Sequence, residues 1–191
     1  MKFKLFRQVE GMDCGPACIQ MVASHYGKTI SLYTLRDLCN VTRLGVSGDD
    51  IVSGCVRIGL EAVPCMVGKE KITILPLPVI IHWRQNHFVV LYCIEENRGN
   101  RRYHIADPQY GKIIMSEIEF YENWSGEEDN GYAILMQPTE RFEAIQSEEM
   151  SFSDSCKLFL YPNLTHSHRG GTYDLRSQKA NQIRSLGRDH P

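Results

Sequence analysis

The sequence predicts an α+β domain in which helices come first and an antiparallel sheet follows. Apolar residues recur at helical spacing up to Gly59. Beyond Glu61 the apolar runs are rich in valine and isoleucine and are separated by turn residues. Helical and strand segments are segregated rather than alternating, which is the order of a two-lobe α+β chain. A cleft between the lobes would set the opening helix against the sheet.

Residues 1–10 read as an extended lead-in that includes Gln8. The turn Gly11-Met12-Asp13-Cys14-Gly15-Pro16 opens a helix, because proline fits a first turn where its missing N–H has no partner to lose. Ala17, Cys18, Met21, Val22 and His25 continue it, and Gly27 stops it. Ser31 caps a second helix carrying Leu32, Leu35, Leu38 and Cys39. Ser47 or Asp49 caps a third, with Ile51, Val52, Cys55 and Ile58 inward and Gly59 at its end. Glu61 to Val67 is a strand. Pro78 to Trp83 and His87 to Ile94 are buried antiparallel strands around the polar turn Arg84-Gln85-Asn86. Tyr103 to Ala106 and Lys112 to Met115 pair through a turn containing Pro108 and Gly111. Ser116 and Glu119 have capping-box spacing and start a short helix to Trp124. Tyr132 to Gln137 is the last strand.

Residues 1–147 thus form one domain. Residues 148–191 are a polar tail, poorly ordered or weakly docked, rich in Ser, Asn, Arg, His and Gly.

Hydrophobic residues make up 42% and charged residues 23% of the 191, enough apolar material for a core. The formal net charge of −2 gives no electrostatic footprint for nucleic acid. No secretory signal follows Lys2, Lys4 and Arg7, and Pro76 and Pro78 break the longest apolar stretch, so the expected compartment is the cytoplasm. Seven cysteines, none spaced as CxxC, argue against a zinc knuckle or a disulfide framework. Cys18, Cys39, Cys55, Cys65 and Cys93 read as small core hydrophobes.

Cys14 stands apart. At a helix N-terminus the dipole and free N–H groups favour a thiolate. Gly15 beside it leaves room for a substrate backbone. A cysteine hydrolase also needs a histidine, a group to hold that histidine and donors for an oxyanion. His87 opens an apolar strand, where its ring can face a cleft. His25, His82 and His104 compete with it, as do His166, His168 and His190 in the tail. Asp107 ends the next strand and can lie beside His87; otherwise it is a turn aspartate capping its own backbone. Gln8 could donate its amide to the oxyanion together with the Cys14 N–H, or be an ordinary surface glutamine.

These residues resemble the bacteriocin-processing, double-glycine-leader cysteine peptidases, the peptidase domain of certain ABC exporters. The resemblance rests on Gln8, Asp13-Cys14-Gly15-Pro16-Ala17-Cys18, Tyr26-Gly27-Lys28, Ser47-Gly48, Gly59-Leu60, Asn86-His87-Phe88-Val89-Val90-Leu91, and Ala106-Asp107-Pro108 with Gly111, over roughly residues 5–137. It implies a papain-like fold and cleavage of a precursor peptide after Gly-Gly or Gly-Ala. It implies Cys14 as nucleophile, His87 as general base and acid, Asp107 as orienting residue and Gln8 as oxyanion donor. It implies no cofactor or metal. The partners would be a leader-bearing precursor and a separate membrane exporter, which would hold the chain at the inner membrane face.

The family usually continues into a membrane-spanning exporter with an ATP-binding domain. No apolar span and no phosphate-binding glycine loop follow here. The chain therefore reads as a stand-alone peptidase or as the product of a truncated or frameshifted gene. Gly170-Gly171 is neither such a loop nor a self-cleavage site, since His168 and Thr165 stand where leaders carry apolar residues. The rival readings are a transglutaminase-like hydrolase using the same Cys, His, Asp order, a leader-binding module without catalysis, and a metal-binding protein.

Overall fold

The computed structural model describes residues 2–145. The readings of 148–191 as a tail, and of Gly170-Gly171, lie outside these residues. Among the described residues three helices lead: α1 (Cys14–His25), α2 (Leu32–Leu38) and α3 (Gly48–Arg57). Strands β1 (Leu60–Gly68), β2 (Val79–Trp83), β3 (His87–Asn97), β4 (Asn100–Asp107), β5 (Gly111–Ser116) and β6 (Asn130–Pro138) follow. A 3₁₀ turn, Lys69–Ile74, links β1 to β2, and α4 (Glu117–Trp124) links β5 to β6. A one-turn helix α5 (Glu140–Ala144) ends the described chain.

The caps explain where the helices begin. The Ser31 hydroxyl accepts from the Thr34 N–H, and Ser47 with Asp50 and Ser116 with Glu119 form reciprocal capping boxes. Helix α1 is different: residues Cys14 to Ala23 are buried without a break. A helix apolar on every side must be packed on every side, and α1 lies between α2, α3 and strand β3.

The strands form one antiparallel sheet in the order β1-β6-β2-β3-β4-β5. Its faces carry separate cores. Phe88, Val90, Ala106 and Ile134 meet α1 and its neighbours, including Ile19, Val22, Leu35 and Ile51. Val89, Leu91, Tyr103 and Ile105 meet Phe120 and Trp124 of α4. Helices packed on an antiparallel sheet are the expected architecture.

One feature was outside the sequence reading and two differ from it. Strand β6 inserts between β1 and β2. Strands β3 and β4 run on past Ile94 and begin before Tyr103, joined through Arg98 and Gly99. Their extension is charged, with Glu96 and Arg101 paired at 3.0 Å, so it lacks the apolar alternation that marks a half-buried strand. The cysteines also divide: Cys18, Cys39 and Cys55 are buried, whereas Cys65 and Cys93 are only half-buried and Cys93 belongs to neither core. Among the described residues no helix is long and apolar enough to cross a membrane.

Candidate active site

Cys14 is the first residue of α1 and His87 the first residue of β3. Helix α1 packs against β3, and Cys14 lies close enough to His87 to shift its pKa. The residue before Cys14, Asp13, occupies the N-cap position but does not cap. Its buried carboxylate accepts the Glu10 N–H at 2.9 Å and lies 3.3 Å from Arg36 Nε. The first N–H satisfied within the helix is that of Ala17, by the Asp13 carbonyl at 2.9 Å. Pro16 has no N–H. The Cys14 and Gly15 amides are therefore left at the helix mouth, where the dipole favours negative charge. Sequence reasoning took Asp13 only as part of a motif; its place just ahead of the helix was the available signal.

Gly15 has a different reason from the one expected. A Cβ there would lie 2.6 Å from Val46 Cγ2 and 2.9 Å from Ile51 Cγ1. The protein's own side chains fill that space, so Gly15 serves close packing of α1 against α3 rather than substrate access.

His87 Nε2 lies 3.0 Å from Asp107 Oδ1. A carboxylate only accepts, so Nε2 carries the proton and Nδ1 is left for the thiol. Burial alone would depress the His87 pKa. Hydrogen bonds and charge from Asp107 and Cys14 outweigh burial and lift it to about 9. The turn before His87 is held too: Arg84 and Gln85 both take positive φ, 49° and 60°, and the Arg84 N–H donates to the Asn123 carbonyl of α4 at 2.9 Å.

Asp107 is 1% exposed. Its Oδ1 also accepts the N–H groups of Gln109 at 2.7 Å and Tyr110 at 3.1 Å. Burial pushes its pKa up, but these bonds and His87 hold it below the ordinary carboxylate range. The Gln8 N–H donates to the Pro108 carbonyl at 3.1 Å, tying the lead-in to this turn. Gln8 Oε1 is buried without a hydrogen-bond partner among the described residues.

The competing histidines fall elsewhere. His25 meets Phe3 and Tyr26, His82 lies against Phe88 and Tyr132, and His104 faces Glu95. The tail histidines lie outside the described residues. Cys18, one turn beyond Cys14, donates to the Phe88 carbonyl at 3.3 Å, and burial pushes its thiol pKa well up, so it stays a thiol.

A groove of about 600 Å³ adjoins this centre. Val46 and Phe88, the latter next to His87 in the chain, line it with Met66, Trp124 and Tyr132, and Asp49, His82, Gln85, Glu128 and Asn130 add polar groups. Its shape depends on Gly131, where a Cβ would lie 2.2 Å from the Trp124 indole.

Residues 2–141 match Peptidase C39. The chain belongs to the Peptidase C39 family. Similar C39 proteins include the lactococcin-G-processing and transport ATP-binding protein LagD of Lactococcus lactis subsp. lactis, 34% identical over 129 residues. That alignment covers 64% of this chain and 18% of LagD, so the chain spans under a fifth of the length of this relative. A solved double-glycine-motif protease of an AMS/PCAT transporter, in complex with a leader peptide, is 30% identical with a TM-score of 0.65. The match covers 72% of this chain and 93% of that one. The peptidase domain of Streptococcus ComA is 29% identical with a TM-score of 0.63, over 72% of this chain and all, 100%, of that domain. The C39 fold, a cysteine peptidase fold, thus accounts for the helices and sheet described above.

Proposed function

We propose that this chain cleaves the leader of a secreted precursor peptide after Gly-Gly or Gly-Ala, with residues 1–147 as the peptidase unit. The observation that carries the reading is the His87 imidazole, held at 3.0 Å by buried Asp107 and close enough to Cys14, at a helix N-terminus, for that side chain to help raise its pKa. The sulfur attacks the carbonyl carbon of the second small residue, forming a thioester as the peptide C–N bond breaks. The oxyanion takes N–H donors from Cys14 and the Gln8 amide. His87 takes the thiol proton at Nδ1 as the sulfur attacks and gives it to the leaving amine. It then removes a proton from the water that hydrolyses the thioester, and Asp107 orients it throughout.

The leader docks as an amphipathic helix with its apolar face on Met66, Phe88, Trp124 and Tyr132. Its glycine end threads a cleft that excludes side chains. The named processing exporters among its relatives support a membrane ABC exporter as partner and a cytoplasmic working side, at the inner membrane face.

Incubation of the purified chain with a synthetic precursor bearing a double-glycine leader tests this. Mass spectrometry should find the leader released with its second glycine as the new C-terminus. Cys14→Ala protein should bind the precursor and leave it whole. Cleavage by that variant, or turnover of glutamine donor peptides in place of Gly-Gly ones, would falsify the assignment.

A further inference from the structure

Among the described residues the peptidase chemistry leaves one group of ligating side chains unused. Cys93 and Glu95 of β3 and His104 of β4 each offer one atom within 4.8 Å of the others. The sequence hides this group because its spacing runs across a hairpin instead of along a CxxC motif. Cys93 pairs directly with His104, and Glu95 stands two residues further along β3.

A bulge makes the juxtaposition. The register passes from Leu91 opposite Ile105 to Cys93 opposite His104, so Tyr92 is an extra residue in β3. One inserted residue exchanges the faces of everything after it. Before the bulge, even-numbered Phe88 and Val90 face the α1 core; after it, Ile94 turns to the α4 core. Cys93 and Glu95 thereby join His104. The displaced Tyr92 packs edge-on to the His104 ring at 5.8 Å and stacks on Phe3 at 4.6 Å, which holds the imidazole in place.

The imidazole–carboxylate separation suits a metal, and the Cys93 sulfur lies within 4.8 Å of both atoms. His104 Nε2 lies 3.3 Å from Glu95 Oε2, yet it is buried and makes no hydrogen bond of good geometry. Bonds of about 2.0–2.1 Å from zinc to imidazole and carboxylate, set tetrahedrally, give an N–O edge of about 3.3–3.4 Å. A thiolate and an imidazole select zinc over magnesium or calcium, which take oxygen ligands. Arg102, opposite Glu95 in the ladder, is exposed and can turn away.

We propose that Cys93, Glu95 and His104 bind a zinc ion, with a fourth position left to water. On binding, the Cys93 S–H bond breaks, its proton passes to solvent and its sulfur lone pair goes to the metal. The ion staples β3 to β4, the strands that begin at His87 and end at Asp107. This reading is independent of the peptidase assignment.

Cobalt(II) titration of the full chain in a Cys14→Ala background tests it, since that background removes another thiol able to bind metal. A thiolate-to-cobalt charge-transfer band that saturates at one equivalent, and is displaced by zinc, is expected. Cys93→Ser should abolish the band. Second-shell changes alone cost 10–100-fold in metal affinity, so loss of the exposed ligand in Glu95→Gln should weaken zinc binding by more than about tenfold. Its metal-free melting temperature should stay unchanged, which excludes misfolding as the cause. Absence of a thiolate band, or a band of equal affinity in Cys93→Ser and Glu95→Gln, overturns the proposal.

Discussion

Asp107 does two things with one oxygen. Its Oδ1 closes the turn by accepting the Gln109 and Tyr110 N–H groups, and it accepts Nε2–H of His87. The two sequence readings, orienting residue and turn-capping aspartate, are thus compatible in one conformation. Asp107→Asn separates them. An asparagine oxygen still accepts from the turn amides, so the fold should persist. The charge facing His87 is lost, however, and an opposite charge at this range shifts a pKa by about 1–3. The upper limb of the kcat/KM profile against pH should move down by about 1 to 3 pH units, while the melting temperature changes little. An unmoved limb would show that His87 does not depend on the carboxylate. Stability carries the same signature. His87 is raised from 6.5 to about 9 on folding. A raised base stabilises the fold fully below its unfolded pKa, and that contribution fades as pH climbs through the folded value. The melting temperature should therefore fall between pH 6.5 and 9, and His87→Ala should flatten that fall. Position at an element end made Cys14, His87 and Asp107 candidates, but six other histidines competed with His87 and a plain turn role with Asp107, so the residues alone left the choice open and the resemblance narrowed it. The setting of Asp13 could not be picked out, because its partner Arg36 comes from another helix.

Local chemistry made most elements readable. Ser31, Ser47 and Ser116 announce their helices because a cap is a contact between residues three apart, which a sequence displays directly. What escaped depends on contacts distant in sequence. Helix α5 has one turn, and Phe142, fully buried, holds it against the core. The β3–β4 extension is a ladder of charges through Arg98 and Gly99, both at positive φ. Gly15 belongs to the same class, since the atoms that require it, from Val46 and Ile51, lie over thirty residues away. Gly15→Ala should overpack the α1–α3 contact and cost about 1–3 kcal/mol in urea unfolding. Because Gly15 is the next residue after Cys14, kcat should fall as well. A fully stable, fully active variant would mean that Val46 and Ile51 move aside freely.

At the scale of the molecule, the sheet is what local patterns could not order. Each strand is readable alone, but β1 pairs with β6 rather than β2 through a register spanning Leu60 with Pro138 to Gly68 with Asn130. That pairing also makes the groove: Met66 from β1 and Tyr132 from β6 are directly opposite each other in the ladder. A groove built by β1, β2, β3 and β6 with the ends of α3 and α4, and without the sulfur in its lining, should contribute equally to substrate and transition-state binding. Uniform binding of that kind sets KM and leaves kcat alone. Met66 is 64% exposed, so Met66→Asp should not disturb folding. Burying a methionine side chain on binding contributes about 1.5–3 kcal/mol, and a carboxylate in its place forfeits most of that. Met66→Asp should raise KM for a full leader precursor by about tenfold or more at unchanged kcat. A short peptide carrying only the Gly-Gly end should be cleaved as by the unaltered protein. If both substrates suffered alike, the groove would be part of the catalytic centre instead of a separate dock, and the leader helix would have to lie elsewhere on the sheet.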